Sequence, residues 1–381
     1  MASIFLLEGI TMKKVNWKSI IGWTVAALVA GFIVYSNMQE QKALQESGKK
    51  VVYAVLPLSG QIAKYGKDMQ KTMEIYVQKN NPPFQIKFLD SAGVSATAVS
   101  ALQQAALYDN NPIVISLPTH ISSALAPIVE QKNGFLFGIA TLAVTTDSKS
   151  FQRMSRCAKD EIGPLGDYIL KHFKKIAVAY TQDDHGLKDY SYLKDALKGS
   201  NVQIVREVIV TSTERDVRNE AVKLISSKPE AVVVLGQAIQ SYLNIIKELK
   251  RQDYQGQIMA ECSFTNPPTF NALNGYTENV ISSTMSVEID MAQPKRIEEL
   301  RTELNKDNVP TYFLTVEAID TLDLIAYTIN NNLPFSQKTY EQMKKWNGIA
   351  GDVIFTGNGD ASVSSYQLAK VKNGKIVPVE K

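Results

Sequence analysis

The stretch VVYAVLPLSGQIAKYGKDMQKTMEIYVQ, residues Val51 to Gln78, decides the fold of this chain. It opens with a run of β-branched and aromatic residues that ends at Pro57 and Gly60, which cannot extend a central strand. The sequence therefore predicts a strand, a polar turn and a helix that begins near Ala63. Ligands of open α/β sheets bind at the carboxyl ends of the strands, so the turn at Ser59 either lines a pocket or is an ordinary connection.

The chain that follows alternates between apolar strands and helices. Strands are predicted at 84–89, 113–117, 135–140, 176–180, 202–210, 231–235 and 257–261, and helices at 97–108, 122–132, 160–173, 189–197, 215–226 and 240–250. This alternation indicates parallel sheets with helices on both faces. The pattern restarts after Phe151-Gln152-Arg153, so we predict two doubly wound α/β lobes with a cleft between them.

The final third of the chain is less regular. A strand is predicted at 280–287 and helices at 295–305 and 311–330. Apolar residues of the longer helix recur at three- and four-residue steps, which predicts a packed stripe of Phe313, Val316, Ile319, Leu322, Ile325 and Ile329. Asn358-Gly359-Asp360 is predicted to form a turn, and Lys372-Asn373-Gly374-Lys375 the turn of a hairpin.

Residues 1–45 have the pattern of a signal peptide or membrane anchor helix followed by a polar tether. Lysines 13, 14 and 18 precede residues 20–35, which are sixteen residues without a charge. That length lies between a signal-peptide core and a spanning helix, so cleavage is left open, with an uncleaved anchor favoured over a cut signal and over a buried core helix. The basic flank predicts a cytoplasmic start and the bulk of the chain outside the membrane. Met12, followed by two lysines, is an alternative start to Met1.

Composition and motifs give no support for an enzyme or for a nucleic-acid-binding protein. The chain has 381 residues and a net charge of +3, with basic and acidic residues intermixed. Its three histidines have no metal-binding spacing, and it has no nucleophile elbow, phosphate-binding Gly-Lys-Ser/Thr loop or GxGxxG turn. Asp183 and Asp184 are interpreted as solvated or helix-capping acids. We therefore expect no catalytic residue, no cofactor and no nucleic acid.

Four motifs in the same order resemble the periplasmic solute-binding proteins of the branched-chain amino-acid type. They are VLPLSGQIAKYGKDMQKTMEIYV (Val55 to Val77), Phe151-Gln152-Arg153 with Asp160, IAVAYTQDDHGLKDY (Ile176 to Tyr190) and FTGNGDASVSSYQLAKVKNGKIVPV (Phe355 to Val379). The resemblance covers roughly residues 50–379.

This resemblance implies the type I periplasmic-binding-protein fold, a two-lobed clamp with a three-crossover hinge. Lobe one is expected at 50–153 with 283–350, and lobe two at 154–282 with 351–381. Such proteins close on one small polar ligand, here expected to be an amino acid or a relative, and deliver it to the membrane permease of an ABC importer. The alternative is a membrane-tethered sensory or protein-docking clamp with a degenerate cleft. Either protein is expected in the periplasm or on the extracellular face.

The resemblance also implies which residues line the cleft. Those expected to hold a ligand carboxylate are Thr119 and His120, with Ser122 beside them, and Ala140 with Thr141. The alternative to lining the cleft is that Thr119 caps a loop and that His120 faces solvent. His185 stands where the family often has an aromatic residue before a glycine, and Ser59 and Tyr65 are expected behind the cleft.

The acidic residue that takes the ligand ammonium in this family falls at about Cys262, with Glu261 next to it. If Glu261 points away from the cleft, the ligand loses a charge-assisted contact of about 1.5–3 kcal/mol, and another ligand class becomes possible. If the alignment is shifted by one residue, Glu261 binds the ligand ammonium and the ligand is an amino acid. A disulfide between Cys157 and Cys262 and two buried thiols are both compatible with the sequence.

Overall fold

The computed structural model describes residues 48–139, 147–155, 158–211, 214–236, 240–291, 293–349, 351–363 and 366–379. The predicted signal or anchor within 1–45 lies outside these residues, as do Ala140, Thr141 and Cys157. Among the helices that can be described, none is both long and apolar enough to span a membrane.

Helices and strands alternate along most of the described chain. The helices are α1 Ala63–Asn80, α2 Ser95–Ala105, α3 Thr119–Gln131, α4 Ala158–His172, α5 Asp184–Leu197, α6 Arg218–Ser226, α7 Gln240–Arg251, α8 Pro267–Leu273, α9 Lys295–Asn305, α10 Phe313–Asn330 and α11 Gln337–Met343. The strands are β1 Lys50–Leu56, β2 Phe84–Asp90, β3 Ile113–Ser116, β4 Phe135–Gly138, β5 Phe151–Arg153, β6 Lys175–Thr181, β7 Gln203–Val210, β8 Ala231–Leu235, β9 Gln257–Ala260, β10 Ile281–Met285, β11 Lys345–Asn347, β12 Asp352–Gly357, β13 Asp360–Val363, β14 Tyr366–Lys372 and β15 Lys375–Pro378. The predicted alternation is confirmed, while α8, α11, β5, β11 and β13 were not predicted.

A five-stranded sheet with the order β2-β1-β3-β4-β5 forms the first half of the fold. Strands β1, β3, β4 and β5 are parallel, with Val52 opposite Ile113 and Ile113 opposite Phe135. Parallel neighbours need crossover helices, which cover both faces of this sheet. One face packs against α1 and α10, and the other against α2 and α3.

A seven-stranded sheet with the order β15-β14-β10-β9-β8-β6-β7 forms the second half. Strands β6 to β10 are parallel, and β14 and β15 complete the sheet as antiparallel strands. The predicted hairpin turn at Asn373-Gly374 is confirmed, because Lys372 pairs with Lys375 and both turn residues have positive φ, 54° and 70°. The turn at 358–360 also forms, but it joins β12 to β13 within a separate three-stranded sheet, β11-β12-β13.

The apolar stripe of α10 lies in the largest core cluster, as predicted. Phe313, Val316, Ile319, Leu322 and Ile325 are buried together with side chains of α1 and the five-stranded sheet.

The chain passes between the two large sheets three times: after β5, after β10 and before β14. The lobe boundaries stay a prediction, and two packing relations bear on them. β10, which contains Ser283, is a strand of the seven-stranded sheet. Val353 and Phe355 of β12 are buried in the core of the five-stranded half.

Hydrogen bonds of Arg153 connect the first crossover, which follows β5, to β13, which precedes the third. Its guanidinium is fully buried and donates to the Asp360 carboxylate and to the backbone carbonyls of Ser155 and Ala361. Gln152 donates to the carbonyl of Asp360 at 3.2 Å. The hinge therefore contains a buried cation whose donors have partners.

Candidate ligand site

Four ionisable side chains meet beside the carboxyl ends of the central strands of the seven-stranded sheet. Glu161, His185, Asp189 and Glu261 each offer one nitrogen or oxygen atom, and these atoms all lie within 4.8 Å of one another. We call these four residues the acidic tetrad. The three carboxylate residues are fully buried and the His185 side chain is 17% exposed, so the tetrad lies inside the protein.

Three elements position the tetrad. Glu161 lies in the first turn of α4, and Glu261 follows β9 as the N-cap of a 3₁₀ turn, Cys262–Phe264. His185 and Asp189 lie on α5 one helical turn apart and so share a face. Gly186 brings the start of α5 against β6, because a Cβ atom there would lie 2.3 Å from the carbonyl oxygen of Thr181.

Backbone amides hold two of the carboxylates in place. Glu161 Oε1 accepts from the Cys262 amide at 3.1 Å, and Glu261 Oε2 accepts from the Ser263 amide at 2.6 Å. The imidazole Nε2 of His185 lies 3.1 Å from Asp189 Oδ2 and 3.7 Å from Glu261 Oε2. These contacts show that the Glu261 carboxylate points into the tetrad, and its role toward a ligand ammonium stays a prediction.

The tetrad has more acids than bases. Burial and the adjacent Glu161 carboxyl raise the pKa of Glu261 well above its usual value, although His185 opposes this. Burial alone lowers the pKa of an imidazole, but Asp189, Glu261 and Glu161 outweigh it and raise the pKa of His185 to about 10. Three carboxyl groups thus lie beside one imidazolium, and the raised pKa of Glu261 favours the protonated form of its carboxyl group.

Two tyrosines complete the surroundings of Glu261. Tyr65, at the start of α1 in the five-stranded half, shares a hydrogen bond of 2.6 Å with Thr269 of α8 in the other half. Burial raises the pKa of Tyr65, and Glu261 and Cys262 add to the increase. Tyr242 of α7 is fully buried beside Glu261, and its hydroxyl has no hydrogen-bond partner among the described residues. The two halves of the fold are therefore in contact at this point.

The structure shows contacts of the remaining predicted site residues where those residues are described, and their role in the cleft stays a prediction. Ser59 is exposed, and its amide donates to Asp90 Oδ1 at 3.2 Å in the turn after β1. Thr119 is buried as the first residue of α3, and His120 Nε2 lies 3.1 Å from the carbonyl oxygen of Gly93. Ala140 and Thr141 belong to the part of the chain that cannot be described.

The structure thus brings together His185, Glu261 and Cys262, with Tyr65 beside them. Cys262 is buried and contributes its backbone amide to Glu161. Whether it pairs with Cys157 stays open, since Cys157 lies outside the described residues.

Sequence reasoning missed Glu161, Asp189, Tyr242 and Thr269. Asp189 lies four residues after His185, but the predicted helix began at residue 189, so the shared helix face became visible only in the structure. Glu161 adjoins Asp160, which belongs to the second of the four family motifs. In the structure Asp160 accepts a hydrogen bond from Ser362 at 2.9 Å. Tyr242 and Thr269 reach the site only through long-range packing, which has no local sequence signal.

Two α/β sheets joined by three crossovers, with a buried polar cluster where the halves meet, define the class of two-lobed binding proteins. The chain belongs to the periplasmic binding protein family, whose sequence profile matches residues 54–375. A comparison with curated proteins finds no match.

Solved structures agree with this fold at low sequence identity. The chain is similar to a leucine-binding protein from Thermotoga maritima MSB8, with a TM-score of 0.75, 18% identity, and coverage of 87% of this chain and 98% of that one. It is also similar to an ABC-transporter solute-binding protein from Rhodopseudomonas palustris BisB5 in complex with 3,4-dihydroxybenzoic acid, with a TM-score of 0.75, 17% identity, and coverage of 88% and 96%.

A third similar structure is an extracellular ligand-binding receptor from Desulfohalobium retbaense DSM5692, with a TM-score of 0.73 and 20% identity. The match covers 87% of this chain but only 60% of that receptor. At these identities the likeness establishes the fold and leaves the ligand open.

Proposed function

We propose that this chain is an extracytoplasmic solute-binding protein that closes on a small polar solute bearing an amino group and delivers it to the permease of an ABC importer. An amino acid is the solute class that we favour. The observation that supports this most directly is the acidic tetrad, in which three buried carboxyl groups lie together where a bound ammonium group would keep Glu261 ionised.

Buried polar atoms without hydrogen-bond partners, in and beside the tetrad, support the same proposal. A charged group taken out of water is costly unless an opposite charge or hydrogen bonds compensate for it. Glu261 Oε1 is buried without a hydrogen-bond partner among the described residues, and the Tyr242 hydroxyl beside it is in the same condition. An ammonium has three donors, so it can satisfy these acceptors and balance the charge in one step.

Closure over the solute is expected to use the contact between Tyr65 and Thr269, which joins the two halves of the fold beside the tetrad. In such hinged proteins the closed form presents a surface that the open form lacks, and we propose that the permease binds that surface. We further propose that residues 20–35 hold the chain to the membrane or direct its export, with the described residues outside the cytoplasm.

A thermal-shift screen of the full chain in mild detergent tests the proposal. The panel contains amino acids, amides, short peptides, benzoates and other carboxylates, and nucleosides, each with EDTA present. A solute at a hundredfold excess over its dissociation constant stabilises the folded protein by about 2.7 kcal/mol. We expect a concentration-dependent rise in Tm with an amine-bearing class.

The variant Glu261→Gln tests the role of the tetrad, and Glu299→Gln, an exposed glutamate on α9, is its matched control. We expect the first to weaken solute binding at least about tenfold, the value of one charge-assisted contact, and the second to leave it unchanged. Benzoates that bind while amines do not would refute the solute class. If no compound in the panel raises the Tm, the result would favour the protein-docking clamp.

A further inference from the structure

We propose that Glu161, His185, Asp189 and Glu261 also form a binding site for one divalent transition-metal ion of the zinc type. The inference does not depend on the identity of the transported solute, because it rests on the donor atoms alone. Its consequence for the proposed function is competition, since a metal ion and an ammonium group would occupy the same negative site.

The spacing of the donor atoms fits a small dication. Zinc ligands lie about 2.0–2.1 Å from the metal, so donor atoms in a tetrahedral site are about 3.4 Å apart. The distances from His185 Nε2 to Asp189 Oδ2 and to Glu261 Oε2, 3.1 and 3.7 Å, lie on either side of this value. One atom from each of the four residues lies within 4.8 Å of every other, so small side-chain movements complete the shell.

The types of donor select the class of metal. One imidazole with three carboxylates suits zinc, manganese or iron(II), whereas magnesium prefers oxygen ligands alone and keeps several waters. Carboxylate ligands also supply the negative charge that a buried dication needs.

The groups around the tetrad hold its carboxylates in fixed orientations, as outer-shell groups do in metal sites. Backbone amides of Cys262 and Ser263 orient the carboxylates of Glu161 and Glu261, which is how outer-shell groups fix metal ligands. The hydroxyl of Tyr242 provides an independent observation. It is fully buried beside Glu261, with no partner among the described residues, so it is available to contact a ligated carboxylate or a metal-bound water.

The test is calorimetric titration of the full chain with ZnCl₂ after treatment with EDTA and dialysis. We expect one equivalent of Zn²⁺ to bind, and MgCl₂ under the same conditions to give no binding. In His185→Gln and Glu161→Gln we expect at least a tenfold loss of Zn²⁺ affinity. The matched controls His172→Gln and Glu299→Gln, at exposed positions, keep the wild-type affinity.

A second measurement needs no variant and therefore survives a folding defect. Co²⁺ added to the wild-type protein should give the intense visible absorption of a tetrahedral site, and Zn²⁺ should remove it. Less than 0.2 equivalents of Zn²⁺ bound, or equal affinity in all four variants, overturns the inference.

The two proposals fail separately. The solute screen is run with EDTA and the metal titration without solute, so a solute that binds without any metal site refutes only the inference. A metal site without a solute refutes only the proposed function. With both present, Zn²⁺ should raise the apparent dissociation constant of the solute.

Discussion

Two of the places where this protein buries ionisable groups are built in opposite ways. At the hinge, the Arg153 guanidinium faces one carboxylate, Asp360, and two backbone carbonyls, so its donors have acceptors. In the acidic tetrad, three carboxyl groups face one imidazole, and Glu261 Oε1 has no hydrogen-bond partner among the described residues. The donors of the first arrangement all have acceptors, and we propose that a ligand completes the second.

The difference separates structural from functional burial. A buried charge with all its partners holds segments together, and removing it leaves the partners unpaired. A buried surplus of one charge sign reduces the stability of the empty protein and is balanced when a ligand arrives. Substitutions at the two places should therefore change stability in opposite directions.

The largest effect is expected at the hinge. Arg153→Leu removes the guanidinium and leaves the Asp360 carboxylate and the carbonyls of Ser155 and Ala361 without their donor. Because Asp360 is 42% exposed and can regain water, we expect a loss of about 3 kcal/mol, the lower end for a broken buried pair. Chemical denaturation measures it.

The control for this variant is Arg218→Leu, which breaks the exposed pair between Arg218 and Asp216. Exposed ion pairs contribute little, so no measurable change in stability is expected. If the two variants have the same stability, the buried arrangement at the hinge contributes no more than a surface pair.

The buried carboxylate of Asp320 gives a pH test of the same idea. Asp320 of α10 accepts one hydrogen bond, from the Ile349 amide at 2.8 Å. Burial raises its pKa to about 7, that amide and Arg296 oppose the increase, and Asp323 and Glu317 add to it. The folded protein therefore keeps a proton that the unfolded chain loses between about pH 4 and pH 7.

Stability should fall as the pH rises through this window, by up to about 1.4 kcal/mol per pH unit from this group, and level off above pH 7. Asp320→Asn removes the dependence, so we expect its stability relative to wild type to rise by about 2 kcal/mol between pH 5 and pH 8. Parallel pH profiles for the two proteins would show that Asp320 has an ordinary pKa.

The tetrad should show the opposite sign to the hinge. Glu161→Gln keeps an oxygen for the Cys262 amide but removes one of three acids. We expect the stability of the ligand-free protein to be unchanged or about 1 kcal/mol higher, while solute affinity falls at least tenfold. A loss of stability comparable to that of Arg153→Leu would make the tetrad a structural cluster instead.

The fold was predictable because its signals are local. The strand from Val51 to Leu56 ends at Pro57, and the hairpin turn at Asn373-Gly374 has the residues that two positive φ angles require. The apolar steps of α10 were visible for the same reason. Short elements such as α8 and β13 were missed, because seven and four residues give too little periodicity to detect.

The site was predictable only in part. His185 and Glu261 follow strands, so their position at the strand ends could be inferred. The register between Glu261 and Cys262 could not be decided from the sequence, because the carboxylate direction depends on the 3₁₀ turn that Glu261 caps. Glu161 lies 100 residues before Glu261, and only the packing of α4 brings the two together.

The smallest effect is expected where the two halves meet. Tyr65→Phe removes only the hydroxyl that shares a hydrogen bond of 2.6 Å with Thr269, so we expect a stability loss of about 1 kcal/mol. Because this bond joins the two halves, its loss should shift the protein toward the open form and weaken solute binding about fivefold, as expected for that energy. The exposed Tyr108→Phe is the control for the substitution itself.

A double-mutant cycle with Thr269→Val separates closure from simple packing. If the bond between the two hydroxyls is the whole effect, the double variant should bind solute no more weakly than either single variant. Additive losses would mean that each residue contacts the solute on its own. In that case Tyr65 belongs to the binding surface beside the tetrad. The ligand site would then include residues from both halves of the fold, unlike the fully paired Arg153 arrangement at the hinge.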